Sequence, residues 1–225
     1  MKSKVSMLTF LVCCCALCSI RLSAQAFQFA KDKLVAVHVA MSVETLKGKR
    51  VVRVAKDSAV KEVDEPTFVK LKGVEFKDGT IEVRVLSKLQ PAAPELARGF
   101  IGVAFRINED NSKFECIYIR PANGRDSNQV RRNHAIQYFS YPDYKFNRLR
   151  KEAPEQYESY ADMGLNEWIK MKIVVKGQQA KLFLNENREP SLIVNDLKQD
   201  AEPGAIGLWV DVGTDGLFSD VSITR

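Results

Sequence analysis

Short apolar alternations closed off by turn residues recur along this chain roughly every 8–12 residues, a rhythm that all-β sandwiches require. Ile81, Val83 and Val85 alternate with Glu82 and Arg84, and Ile101, Val103, Phe105 and Ile107 share one face. Ile169, Met171, Ile173 and Val175 alternate with Lys170, Lys172 and Lys176. Such a run offers one face to a core and the other to water. The pattern predicts strands over 34–43, 50–55, 67–71, 74–76, 81–85, 100–107, 113–119, 168–175, 180–184, 192–194, 205–212 and 217–224, with one more near 135–141. Asp78-Gly79 reads as a hairpin turn. The run 213–216 is expected to join the last two strands as an antiparallel pair. No window supports a long amphipathic helix. About a dozen strands in one chain predict an all-β, two-sheet antiparallel jelly roll rather than a seven-strand module.

The N-terminus reads as a processing signal. Lys2 and Lys4 precede an apolar run from Met7 to Ile20, and Ala24-Gln25-Ala26 carries small residues where a signal peptidase reads. The expectation is a leader over 1–26 cleaved after about Ala26, one domain over 27–225, and a secreted, periplasmic or cell-envelope location. Cys18 lacks the upstream leucine of a lipoprotein signal. Removing 26 of 225 residues leaves 199, enough for a full sandwich core. It also removes Lys2, Lys4 and Arg21, so the formal charge falls from +6 to +3. That excess is too mild to point to a nucleic acid, and no later segment is long and apolar enough for an integral membrane span. Cys116 is then the one cysteine left, which excludes an internal disulfide or a cysteine-based zinc site; it reads as a small buried hydrophobe.

Chemistry-bearing residues concentrate between Phe114 and Tyr160. All six tyrosines fall there (Tyr118, Tyr138, Tyr141, Tyr144, Tyr157, Tyr160), with Arg120, Arg125, Arg131, Arg132, Arg148, Arg150 and His134. A long excursion this rich in rigid hydrogen-bonding side chains reads as an ordered binding loop rather than a linker. Tyr141-Pro142-Asp143-Tyr144 is expected to brace it, with Arg148 and Arg150 paired to Glu152, Glu155 or Asp143.

Two blocks carry a resemblance. Gly99-Phe100-Ile101-Gly102-Val103-Ala104-Phe105-Arg106 and Phe114-Glu115-Cys116-Ile117-Tyr118-Ile119-Arg120-Pro121 look like the central strands of concanavalin A-like lectin and glucanase domains of polysaccharide-using bacteria. Asn166-Glu167-Trp168, Lys181-Leu182-Phe183-Leu184-Asn185 and Gly204-Ala205-Ile206-Gly207-Leu208-Trp209 resemble the C-terminal half of the secreted 3-keto-disaccharide hydrolase family. Asn185-Glu186 stands where that family places Asn-Gly, and 123–160 departs from its general pattern. The resemblance implies a carbohydrate or glycoside ligand on the concave face of a sandwich.

The residues exclude one route and leave others open. Glucanases on this fold carry Glu-x-Asp-x-x-Glu on one strand; here Glu62-Val63-Asp64 comes nearest, but Thr67 breaks it, so a conventional two-carboxylate glucanase is not expected. Cleavage of a glycoside oxidised at C3, which the resemblance implies, needs one base and a cationic stabiliser for an enediolate. Arg131-Arg132-Asn133-His134 offers His134 as base and Arg131 or Arg132 as electrostatic partner, and Glu115 is a second candidate base. Tyr118, Arg120, Asn123, Arg125, Arg132, Gln137 and Tyr138 are candidate ligand contacts. Trp209 and Asp211 are expected to project together from the face opposite Ile206, Leu208 and Val210, as a sugar platform. No cofactor is implied; Asp110, Asn111 or Asp220 would hold a structural calcium only if oxygen ligands converged. A non-catalytic lectin-like module and an envelope protein-contact surface remain the alternatives.

Overall fold

The computed structural model describes residues 25–225. The expected leader, apart from Gln25 and Ala26, lies outside the described residues. One sheet has eight strands, in the order β13 (Leu192–Val194), β12 (Gln179–Leu184), β11 (Ile169–Lys176), β6 (Gly79–Leu89), β15 (Thr214–Thr224), β4 (Lys49–Lys56) and β3 (Val39–Leu46), with β1 (Gln25–Ala26) beside β15. The other has seven: β10 (Glu158–Ser159), β9 (Ile136–Tyr141), β8 (Phe114–Ile119), β7 (Ile101–Ile107), β14 (Ala205–Val210), β5 (Phe68–Leu71) and β2 (Leu34–Val37). All pairings are antiparallel, and together they form a two-sheet sandwich. No helix among the described residues is long and apolar enough to cross a membrane.

Three expected connections differ, for one reason. The strand expected over 34–43 is two strands, because His38 adopts a φ of 50° and the chain passes there from the seven-stranded sheet to the eight-stranded one. Asp78-Gly79 links β5 to β6 in opposite sheets and makes no hairpin. The run after β14 likewise carries the chain across the sandwich, so β14 pairs with β5 and β7 while β15 pairs with β4 and β6. Turn residues mark where a chain reverses. They do not say which sheet it joins.

The inner faces supply the core: Ile101, Val103 and Phe105, Ile117 and Ile119, Leu208 and Val210 on one side, and Ile81, Val83, Val85, Met171, Ile173 and Phe218 on the other, all buried. The outer face of the seven-stranded sheet is apolar as well. Along one rung, Phe68 pairs with Trp209, Trp209 with Gly102, Gly102 with Tyr118, and Tyr118 with Gln137. A Cβ on Gly102 would stand 2.5 Å from the Tyr118 Cα; the missing side chain lets the Tyr118 and Trp209 rings close to 4.8 Å between centroids. Phe139 and Phe114 extend this aromatic layer.

Two segments cover it. The loop after β4 accepts the Trp209 Nε1–H on its Glu65 carbonyl at 2.9 Å and the Tyr141 hydroxyl on the Glu65 carboxylate at 3.2 Å. The long excursion carries three short helices, α1 (Pro121–Gly124), α2 (Gln129–Asn133) and α3 (Phe146–Glu152). Its brace is only partly the one expected. Arg148 pairs with Glu152 and lies over Tyr144, whereas Arg150 pairs with Glu158. Trp209 is fully buried within this layer. Trp209→Ala should therefore lower the unfolding free energy by about 3–5 kcal/mol in denaturant titration, as large aromatic truncations do.

Candidate functional site

Between those two covering segments and the loop before β7 lies a cavity of about 250 Å³, above the β8 end of the aromatic layer. Larger hollows, of about 520 and 410 Å³, lie over the eight-stranded sheet beside Phe27 and Trp168. Their charges pair across the surface, Lys49 with Asp220 at 3.2 Å and Lys170 with Glu82 at 3.3 Å. The smaller cavity is lined by several buried polar groups, Asp64, Arg120, Asn123 and Asp211.

Arg120, immediately after β8, is its centre. The side chain is 6% exposed. Nη1 donates to the His134 carbonyl at 3.0 Å and to Glu158 Oε1 at 3.3 Å; Nη2 donates to the Tyr118 hydroxyl at 2.8 Å and to Gln137 Oε1 at 3.2 Å. Its guanidinium carbon stands 6.0 Å from the Phe100 ring centroid and 5.7 Å from that of Phe146, both at the cavity wall. Glu158 also binds Arg150 and lies 3.6 Å from His134 Nε2. Burial works against the charged form of Glu158, but Arg150, Arg120 and His134 together hold its carboxyl below the usual range.

His134 closes α2 and is one-fifth exposed. Burial pushes its pKa below the ordinary 6.5; Glu158 opposes this, while Arg150 and Arg120 reinforce it. The imidazole is thus neutral near pH 7 and able to accept a proton. Asn123 reaches the same wall, its Nδ2 donating to the His134 carbonyl at 3.1 Å, while its buried Oδ1 has no partner. Arg131 lines the rim, half exposed, with Nη1 3.2 Å from Asp126. Asp211 lines the floor in a buried ion pair with Lys56, and its Oδ2 accepts from the Asp64 amide at 2.9 Å.

Neither a family model nor a curated protein matches the sequence. Solved structures do match in shape. A carbohydrate-binding module, CBM66 from Bacillus subtilis, superposes with a TM-score of 0.52 at 12% identity, covering 83% of this chain and 94% of that one. A prokaryotic β-1,3-1,4-glucanase (lichenase) derived from a mouse hindgut metagenome gives 0.51 at 12% identity, with 90% and 98% covered. A Bacillus subtilis protein of unknown function with a galectin-like fold gives 0.51 at 9% identity, with 86% and 90% covered. The fold is a concanavalin A-like jelly roll. At such identities the likeness extends to the fold alone.

The jelly roll separates the other candidate residues. Tyr118 is buried beneath Arg120, and Gln137 lies beside it as an acceptor rather than an exposed contact. Glu115 and Tyr138 are on the inner face, away from His134: Glu115 accepts from the Tyr138 hydroxyl and the Gln199 amide, both at 2.8 Å, and is fully buried. This corrects Glu115 as a partner base. Its neighbours Phe114, Cys116 and Tyr118 claim the aromatic layer, so alternation turns it inward. Arg125 is drawn off by Asp162 and Glu167, and Arg132 lies over the Tyr160 ring and donates to its hydroxyl at 2.9 Å. Trp209 is not a platform, because the Glu65 loop covers it. Asp110 and Asp220, weighed above for calcium, are bonded to Ser112 and to Lys49.

Asp64, Arg98, Phe100, Phe146 and Arg150 also line the cavity, and none of them stood out in the sequence as a contact. Arg150 and Phe146 lie in the tyrosine-rich stretch, which was their available signal. Asp64 had none, since what distinguishes it is burial. It is 1% exposed, with its carboxylate accepting from the Phe146 amide at 2.8 Å. Burial raises its pKa from 3.8 to about 7; the Phe146 amide opposes this, Asp211 adds to the rise, and Arg120 and Lys145 oppose it. The folded protein therefore binds a proton there that the unfolded chain has released, and the stability from this group is lost as pH rises from about 4 to about 7. Asp64→Asn should flatten that decline and leave the variant more stable than wild type at pH 8 by about 1–3 kcal/mol, read from thermal unfolding across pH.

Proposed function

We propose that this protein binds a carbohydrate, with one sugar unit held in the cavity between Phe100, Phe146 and the Arg120 cluster. The observation that carries the reading is the pairing of two half-buried aromatic rings with convergent, pre-positioned hydrogen-bonding groups in one small cavity. Ring faces suit sugar C–H groups, and fixed donors and acceptors suit hydroxyls. The known ligand classes of similarly shaped proteins, a carbohydrate-binding module and a lichenase, fit this reading. A glycan array followed by calorimetry tests it. Phe146→Ala should weaken binding about tenfold, roughly 1–2 kcal/mol, with the fold checked by its melting profile. An array silent for every sugar would sink the carbohydrate reading and favour a protein contact.

A second reading, cleavage, is favoured by His134, neutral near pH 7, lining the same cavity as Arg120, Arg131 and Arg150. On a glycoside oxidised at C3, His134 would take the acidified C2 proton, a guanidinium would stabilise the enediolate oxygen, and the C1 substituent would leave. His134→Gln should cut turnover of a 3-keto-glucoside by about 10²–10⁴-fold while leaving its affinity within a few-fold. Unchanged turnover would remove His134 from the chemistry.

A further inference from the structure

The same cavity has an unbalanced charge. Arg98, Arg120, Arg131 and Arg150 all line it. Glu158 is shared by Arg120 and Arg150, so one carboxylate answers two guanidiniums. Arg98 donates only to backbone carbonyls, of Glu95 and Ala97, and has no carboxylate partner among the described residues. Arg131 is met at the rim by Asp126 at 3.2 Å, but the two acids in the lining itself do not compensate. Asp211 is committed to Lys56, and Asp64 is held largely neutral below pH 7. Arg131 and Arg150 remain 49% and 37% exposed, so a ligand can reach them.

A second unmet demand is of the opposite kind. Asn123 is 4% exposed, and its Oδ1 has no donor. A buried acceptor without a partner costs stability until a donor reaches it. Arg98 without a carboxylate, two guanidiniums sharing Glu158, and an amide oxygen lacking a hydroxyl are together satisfied by one molecule that carries an oxyanion and hydroxyl groups.

We propose that the cavity selects a sugar bearing an oxyanion, a carboxylate or a sulfate ester, over a neutral sugar. This rests on the carbohydrate reading of the site. Planar guanidiniums at the rim meet the anionic group, Phe100 and Phe146 flank the ring, and Asn123 Oδ1 accepts from a ring hydroxyl. A bare anion lacks that hydroxyl and those ring contacts.

The test is calorimetry on the full chain with four sets of probes: short glucuronate and galacturonate saccharides, sulfated galactose saccharides, neutral glucose and galactose saccharides of equal length, and sodium acetate or sodium sulfate alone. One of the two acidic sets should bind at least about tenfold tighter than its neutral counterpart, with the preference shrinking in high salt. Which set binds identifies the carboxylate or the sulfate. Arg98→Gln and Arg131→Gln should each reduce the ratio of acidic to neutral affinity by about five- to tenfold. Asn123→Asp, which adds a carboxylate to the wall, should lower the same ratio of acidic to neutral affinity. Equal affinity for neutral and acidic sugars overturns the charge selection but keeps the carbohydrate reading. Acetate or sulfate binding as tightly as the sugars overturns the sugar. No binding by any saccharide removes the reading on which the inference rests.

Discussion

One buried guanidinium holds the candidate site together. Arg120 leaves the end of β8 and, with four hydrogen bonds, ties the close of α2, the edge strand β10, the hydroxyl of Tyr118 and the amide of Gln137 to one point. Such a charge is tolerable only because every partner is present, and removing one leaves the others buried and unmatched. The excursion therefore has a fixed shape. His134 and Asn123 are placed through their contacts with this hub and with each other, and not by the sheet itself.

Beneath the hub, the jelly roll contributes an unusual second apolar surface. A sandwich sheet ordinarily turns one face to its partner and one to water, and the eight-stranded sheet does so with Glu82, Arg84, Lys170 and Lys172. The seven-stranded sheet instead carries Phe68, Trp209, Tyr118, Phe139 and Phe114 outward. Small residues at Gly102 and Ala104 let the rings lie close. That second surface has to be covered, and the loop carrying Asp64 and Glu65 together with the excursion carrying α3 does so. The cavity is the gap where these covers meet.

Alternation and turn chemistry made the strands legible, because a two-residue period and Gly or Asn at reversals are local properties. The passage between sheets at His38 was not legible, since a lone histidine at positive φ among valines has no local signature. Trp209 was correctly placed opposite Leu208 and Val210, but its burial depends on Glu65, far away in sequence. Glu115 could have faced either way until the aromatic layer claimed its neighbours. Asp64 and Arg98 were silent for the same reason: their character comes from groups brought to them by the fold. Local patterns disclosed the scaffold and the stretch containing His134 and Arg131, while the partners of those residues depended on tertiary structure.

The cavity wall is drawn from residues 63–64, 96–100, 118–150 and 211, stretches separated by most of the chain. Several of these stretches are tied to one another, since Asp64 is fastened to the Phe146 amide and Asp211 to the Asp64 amide. A ligand held there touches every cover at once, so its binding energy is coupled to unfolding of the whole domain rather than to the motion of one lid. Occupancy then acts as a clasp on the entire molecule, and resistance to proteases would report a bound ligand without any change in the sheets.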